Sequence, residues 1–479
     1  MSIFTKVKQR SYQDSLKLMR VSAEIQSIEG IKQAFAFMGT EINKTTRIPA
    51  EVLTEDAKAA GPDDLILMVE SDDAKIAAMA LQEFDKKISE TGRPEKSELL
   101  PDQKPATLDE AVSVAPDANT AIISVPGPYA AAQAMRALQL GLNVHLFSDN
   151  VPLEDEIKLK TFAAEKGLLL MGPDCGTSVI QGVPLCFANN LKRGSIGIVG
   201  ASGTGSQELS CLVSNMGAGV SHIIGVGGRD LSEEVGGIMT LEAIKLLAND
   251  PETKVLAVIS KPPAKAVVDK VKEAVKAAGK PVVLVFLGFK NDEPIFAATL
   301  EEGAAKALAL LNNTDIKAKT VFARGKIEKY SFKPEQKYIR GFYTGGTLAT
   351  EAGYILKEKG IKDFSIIDLG DDKYTRGALH PMIDPQLRNL KVLEAIKDPS
   401  TAVILCDVVI GHGSHSNPAA ELAKTVQGSG ACVLASVTGT EADPQNKKEQ
   451  ERILREAGIT VYPGNQYAAE AAAKMILGE

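Results

Sequence analysis

Two glycine-rich turns in this chain have the composition of anion cradles. In the first, the apolar run Ile196–Val199 leads into Gly200-Ala201-Ser202-Gly203-Thr204-Gly205, with a helix expected from about Ser206. In the second, Tyr338–Tyr343 leads into Thr344-Gly345-Gly346-Thr347, with a helix expected from about Leu348. Glycines let a ligand approach the backbone closely, and the unpaired amides and dipole of a helix start favour negative charge. Ser202, Gly203, Thr204 and Gly205, and likewise Thr344, Gly345, Gly346 and Thr347, are therefore expected to bind phosphate or carboxylate. Neither turn is a Walker loop, because the Gly-Lys-Ser/Thr ending is missing.

The remaining candidates lie in the loops that follow. Gly225-Val226-Gly227-Gly228 precedes Arg229, and Asp368-Leu369-Gly370-Asp371-Asp372 precedes Arg376 and His380. Arg229 and Arg376 are candidate catalytic residues that can clamp an anion bidentately and neutralise developing charge. His380 is a candidate acid/base or a loop residue, and Asp371 with Asp372 is either a Mg²⁺ site or an exposed acidic turn. His412 and His415 offer too few ligands for a metal, so no metal site is expected. Cys175 is a candidate nucleophile, but no partner histidine can be identified for it in the sequence, so a structural thiol is expected.

These turns are two copies of one unit. An offset of 143 carries Gly203, Thr204 and Glu208 onto Gly346, Thr347 and Glu351, and Ile223, Ile224 and Gly227 onto Ile366, Ile367 and Gly370. The offset drifts to 152 for the Leu-Glu-Ala-Ile-Lys strings at 241 and 393, and to 148 for Asp250-Pro251 and Asp398-Pro399. Each copy reads as a flavodoxin-like α/β domain, expected at 191–315 and 335–479. Residues 107–190 alternate strand and helix (Thr120–Val125, Tyr129–Leu140, Asn143–Phe147, Pro152–Lys166, Leu168–Met171), which is the pattern of a parallel Rossmann-like sheet. Residues 1–95 read as a small α+β domain, and the polar, proline-containing stretch 91–106 as a linker.

Composition narrows the function classes. The 479 residues are 44% hydrophobic and 24% charged, which excludes disorder for most of the chain. Aromatics are 5% with no Trp, so the core must be aliphatic. A net charge of -7, without a basic patch interleaved with aromatics, excludes a dedicated nucleic-acid binder. The basic start lacks the apolar segment of a signal peptide, and no apolar run reaches membrane-spanning length. Five cysteines without Cys-x-x-Cys spacing point to reduced thiols and a cytoplasmic protein.

Several strings resemble succinyl-CoA synthetase. Val125-Pro126-Gly127-Pro128-Tyr129 and Gly172-Pro173-Asp174-Cys175 are similar to loops of the CoA-binding domain of its α subunit. The resemblance implies that Pro126, Gly127, Pro128, Gly172, Pro173 and Asp174 form a nucleotide- or CoA-type loop. Residues 191–315 resemble its α ligase domain, and 335–479 the C-terminal ligase domain of its β subunit. The family's phosphorylated histidine has no counterpart, since Leu287–Ala304 contains no His. Over nearly the whole length the chain is identified as a member of the FdrA-like family. Gly225–Gly237, Thr344–Gly353, Asp368–Pro385 and Thr438–Pro444 carry that resemblance. It implies a subunit of a multi-subunit oxamate carbamoyltransferase in anaerobic allantoin or purine catabolism, exchanging a carbamoyl group between oxalurate/oxamate and phosphate/carbamoyl phosphate. Its partners would be other subunits and copies of itself. The alternatives are an acyl-CoA ligase or acyltransferase that binds CoA, and a non-catalytic scaffold.

Overall fold

The computed structural model describes residues 2–9, 11, 13, 15–40, 43–44, 53–89, 105–289, 291, 293–314, 330–375 and 379–478. Most of the expected linker, and Arg376, lie outside the described residues. The chain divides into two compact units, residues 1–104 with 373–379, and residues 105–372 with 380–479.

The first unit is built on a three-stranded antiparallel sheet in the order β1-β3-β2, with β1 at Ser2–Lys8, β2 at Ile31–Met38 and β3 at Leu65–Ser71. Residues of β3 alternate between two apolar clusters, as the period of two along a strand requires. Leu65, Leu67 and Val69 pack with Leu18, Val21 and Ile25 of the helix Ser15–Gln26 and with Ala77, Ala80 and Phe84 of the helix Ala74–Ser89. Ile66 and Met68 pack on the opposite face with Phe37, Ala57 and Ala60. Strand β1 is the element that the sequence pattern does not announce.

The second unit opens with the expected β-α-β-α-β run. Strands β4 (Thr120–Ile123), β5 (Asn143–Leu146) and β6 (Leu170–Met171) form a parallel sheet in that order. The next two strands, β7 (Thr177–Ile180) and β8 (Val183–Cys186), make a hairpin closed by Gln181 and Gly182, both at positive φ. This hairpin lies before the expected boundary at 190, yet β7 pairs with β10 (Val220–Gly225) of the following sheet.

That sheet adds β9 (Arg193–Ala201), β11 (Val255–Ser260), β12 (Val282–Phe286) and β13 (Phe296–Ala297). Its parallel part runs β10-β9-β11-β12-β13. The second copy has β14 (Tyr338–Tyr343), β15 (Phe364–Asp368), β16 (Thr401–Val409), β17 (Cys432–Thr438) and β18 (Thr460–Tyr462), in the order β15-β14-β16-β17-β18. Both are the flavodoxin-like order 2-1-3-4-5, whose ligand crevice opens beyond the strand ends where the order reverses. The copies share one aliphatic core. Leu209 and Val213 of the helix Gly203–Asn215 and Ala304 of the helix Leu300–Leu311 pack in the same cluster as Leu348 and Ala352 of the helix Gly346–Glu358 and Ala468 and Ala472 of the helix Asn465–Leu477.

All five cysteines are free thiols. Among the described residues no helix is long and apolar enough to cross a membrane.

Candidate functional site

The two glycine-rich turns meet. Their helices begin three and two residues earlier than the sequence pattern suggests, at Gly203 and Gly346. The Ser202 hydroxyl accepts from the Gly205 amide at 3.0 Å, capping the first helix, and pairs with the Thr347 hydroxyl of the second. A Cβ on Gly205 would stand 2.8 Å from the Thr347 methyl, and one on Gly345 would stand 2.9 Å from Thr204 Cβ. Glycine at these two positions is what lets the helix starts touch.

A second reciprocal contact locks the copies. Glu208 and Glu351 sit at the same place in the two helices, and both are buried. The Glu351 carboxylate accepts from the Leu300 amide at 2.7 Å and from Asn465 Nδ2 at 2.8 Å. Glu208 accepts from the Asn465 backbone amide and from the Thr438 hydroxyl. Each glutamate thus serves the first residue of the other copy's last helix. Burial pushes both carboxyls up, Glu351 to about 7.

The turns differ in what they hold. At the second, the Asp407 carboxylate accepts from the Thr344 amide at 2.7 Å, the Thr344 hydroxyl at 3.0 Å and the Gly345 amide at 2.8 Å. Two of the amides expected to bind an external anion are therefore taken by the chain itself. Burial raises Asp407 to about 6, against the pull of these donors and of Arg388. Gly346 lies against another carboxylate, since a Cβ there would stand 2.2 Å from Asp368 Oδ2.

At the first turn a small open cleft, with room for about one water molecule (about 10 Å³), is lined by Gly200, Ser202 and Gly203, by Gly225, Gly227 and Gly228, and by the loop Asp174–Thr177. Three loops from two sheets converge there, at the strand ends of the first flavodoxin-like domain. Asp174 is held at φ +54, and its amide donates to the Ser148 carbonyl at 2.9 Å. Its carboxyl is pushed up to about 7, first by desolvation and then by Asp149 and Asp372, against Lys261 and Arg229. The residue keeps solvent access, so this is the crowding of a cleft mouth and not of a sealed core.

Lys261, which the sequence pattern does not single out, follows β11 at the crevice. It is half-exposed, and its Nζ lies 4.0 Å from Asp368. A strand-terminal lysine at the switch point was the signal available. His380 is packed against Gly370 through Nε2 and against the Phe187 ring, with centroids 5.7 Å apart. Its Nδ1 accepts from the Met382 amide at 3.2 Å, which assigns the proton to Nε2. Burial lowers its pKa to about 4, so the ring is neutral near pH 7 and acts as an Nε2–H donor. Asp149 acts on both Asp174 and His380, placing them in one electrostatic neighbourhood.

Other candidates have structural work. Arg229 is half-exposed; its Nε pairs with Glu156 at 2.8 Å and an Nη donates to the Val151 carbonyl at 2.8 Å. Glu156 also pairs with Lys160, which pairs with Asp230, all three buried. A Cβ on Gly127 would stand 2.4 and 2.5 Å from the Asp149 and Asn150 carbonyl oxygens, so Pro126-Gly127-Pro128 starts a helix under close packing. Pro173 packs through its carbonyl on Gly227, beside Gly172. Cys175 does have a histidine neighbour, with Sγ 3.9 Å from His145 Nδ1, but burial pushes the thiol to about 12 and lowers His145 to about 4. The pair is a packed thiol and a neutral imidazole, not an activated nucleophile. Among the described residues no three Asp, Glu, His or Cys side chains converge as a metal site.

Comparisons with known proteins agree with this architecture. Residues 342–475 match the CoA-ligase family, 191–288 the CoA binding domain, and 1–104 the AllF, heavy metal-associated domain. The CoA-binding match thus falls on β9 to β12, after the β4–β6 sheet. The chain is 40% identical over 498 residues to the uncharacterized protein YahF of Escherichia coli K12, covering 96% of each. It is 31% identical over 157 residues to the succinate–CoA ligase (ADP-forming) subunit alpha 2 of Archaeoglobus fulgidus, covering 32% of this chain and 53% of that one. Among solved structures it is similar to the dinucleotide-forming acetyl-coenzyme A synthetase 1 of Ca. Korarchaeum cryptofilum, with 15% identity, a TM-score of 0.36, and 80% and 87% of the chains covered. Residues 1–104 contain neither Cys nor His, so thiolate and imidazole ligands for a heavy metal are missing from that domain. With its three family domains and its near full-length likeness to YahF, the chain belongs to the FdrA-like family of succinyl-CoA synthetase-like proteins.

Proposed function

We propose that this chain is the carbamoyl-transferring subunit of an oxamate carbamoyltransferase, working with other subunits of that enzyme. The observation that carries the reading is the open cleft at Ser202-Gly203, where a helix start and three glycine-containing loops converge beside Asp174. In the direction of phosphorolysis, a phosphate oxygen attacks the carbamoyl carbon of oxalurate. The bond from that carbon to the oxamate nitrogen breaks, the nitrogen takes a proton, and carbamoyl phosphate and oxamate leave. The helix start at Gly203 seats the phosphate. Asp174, half-protonated near neutral pH, supplies the proton and recovers it in reverse. His380 donates its Nε2–H to the carbamoyl oxygen as negative charge develops, and Lys261 offsets the charge of the oxamate carboxylate. Transfer of this kind is direct, which accords with the lack of a histidine at Leu287–Ala304 to carry a phosphoryl group.

The matches to CoA-ligase and CoA-binding families favour a second reading, acyl transfer between phosphate and CoA at the same cleft. One assay separates them. The full chain is combined with its partner subunits, and carbamoyl phosphate formed from oxalurate and phosphate is measured with and without CoA. The proposal expects CoA-independent carbamoyl phosphate and a loss of at least a hundredfold in Asp174→Asn. Thioester formation from CoA, with no carbamoyl phosphate, would replace it with the acyl-CoA reading.

A further inference from the structure

We infer that Asp407 is the built-in anion of the second glycine-rich turn, so the chain takes one exogenous phosphate, at Ser202–Gly205, and not two. The inference rests on the phosphate reading above and adds to it how the repeat has divided its work.

Strand register makes the comparison between copies definite. In the first copy Ile198 of the central strand pairs with Ala257, and in the second Gly341 pairs with Leu405. Ile198 and Gly341 are repeat equivalents, so two residues further along Ile259 and Asp407 are equivalents as well. One position therefore holds an apolar side chain in the copy with the cleft and a carboxylate in the copy without one. Asp407 is wholly buried and carries the three hydrogen bonds from Thr344 and Gly345 that an external anion would have taken. Arg388 holds its backbone in place, donating from Nη1 to the Asp407 carbonyl at 2.9 Å. On the other side of the same turn stands Asp368, against Gly346. A second anion would meet two carboxylates there.

At the first turn Ile259 packs on Gly205, with Cδ1 2.8 Å from where a Cβ would stand, and contributes no charge. Gly228 faces open space across the cleft. The fixed carboxylate also orders the seat for the exchangeable one. Asp407 holds Thr344 and Gly345, Gly345 backs Thr204, and the Thr347 hydroxyl meets Ser202, the cap of the first helix. Asp407 is thus a positioning residue that acts through the second turn on the first.

The test is calorimetry of the full chain with inorganic phosphate. Wild type is expected to bind one phosphate per chain. Asp407→Ala vacates the buried seat, and a second phosphate is expected to enter. Asp407→Asn keeps the shape, so it is expected to keep one site with affinity weakened about tenfold. If Asp407→Ala does not fold, acetate is expected to restore its folding without stabilising wild type, because acetate supplies the missing carboxylate. Two phosphates in wild type would overturn the inference while leaving the phosphate reading in place. So would unchanged affinity in Asp407→Asn, or no acetate rescue of an unfolded Asp407→Ala. No phosphate in wild type would remove the phosphate reading itself, and this inference with it.

Discussion

Replacing Glu351 with Ala should loosen the joint between the two ligase-type domains without touching the cleft. The carboxylate satisfies two buried donors, the Leu300 amide and Asn465 Nδ2. Leaving a buried donor unpaired costs about 1–3 kcal/mol, while Thr299 keeps its cap on the Glu302 amide. Asn465 keeps its bond to the Leu348 carbonyl at 2.9 Å, which reduces its share of that cost. The two lost acceptors predict about 3 kcal/mol for Glu351→Ala at pH 5, where the wild-type carboxyl carries little ionisation penalty. Glu351→Gln keeps the volume and one acceptor and should cost about 1 kcal/mol or less at pH 5. The pH dependence has a definite sign. Burial raises this carboxyl from its ordinary range to about 7, so the folded state holds the proton more tightly than the unfolded state does. The resulting penalty is absent below the unfolded value near 4.5, grows as pH rises and is complete above about 7. Glutamine does not titrate, so Glu351→Gln should gain on wild type by a few kcal/mol between pH 5 and pH 8. Urea unfolding followed by far-ultraviolet circular dichroism and by tyrosine fluorescence reads these differences; the chain has no Trp to interfere. An alanine variant within about 0.5 kcal/mol of wild type at pH 5, below the cost of one lost buried hydrogen bond, would refute the cross-capping account. A wild-type stability relative to Gln that rises with pH would refute the sign.

Other outcomes follow from the same geometry. Cys175 should resist iodoacetamide at pH 8 in the folded chain, and Cys175→Ser should keep activity; rapid alkylation of Cys175, found by peptide mapping, would mean its thiol is not held near 12. His380→Ala should lower kcat of the assembled enzyme at least tenfold, while wild type should show no ionisation of this ring between pH 5.5 and 8, because its pKa lies at about 4; a histidine resonance titrating near 6.5 by NMR would contradict its burial. Lys261→Met should raise the KM for oxalurate and push Asp174 further up, moving the pH profile to higher pH; an unmoved profile would detach Lys261 from the site. Lys160→Met leaves Glu156 and Asp230 buried with one cation fewer and should destabilise the second unit by about 3 kcal/mol, read by urea unfolding.

The repeat was the most legible feature of the sequence, because Gly-Thr and Glu recur at fixed spacing along helices that must face each other. The sheet orders followed from it. Strand β1 was hidden because its Lys6 and Lys8 break the apolar pattern of a strand. The β7–β8 hairpin was hidden by Pro184 and by its four-residue strands, although Gln181-Gly182 was a usable two-residue turn signal. Asp407 was legible in part: one aspartate inside the apolar run Ala402–Val409 must find donors, and the nearest unpaired amides were those of the facing turn. The cross-capping of Glu208 and Glu351 could not be read at all, since its partners at Asn465 and Leu300 are set by how the two copies pack. The same holds for Arg229, whose anion turned out to be Glu156 of the helix Leu153–Glu165.

The most direct measurement of the central claim is isothermal calorimetry of the purified chain with carbamoyl phosphate, and separately with CoA. The account predicts one carbamoyl phosphate per chain, lost in Gly203→Val, where the added side chain enters the cleft 3.7 Å from the Thr177 hydroxyl without displacing backbone. Binding of CoA alone, or carbamoyl phosphate binding that survives Gly203→Val, would contradict it.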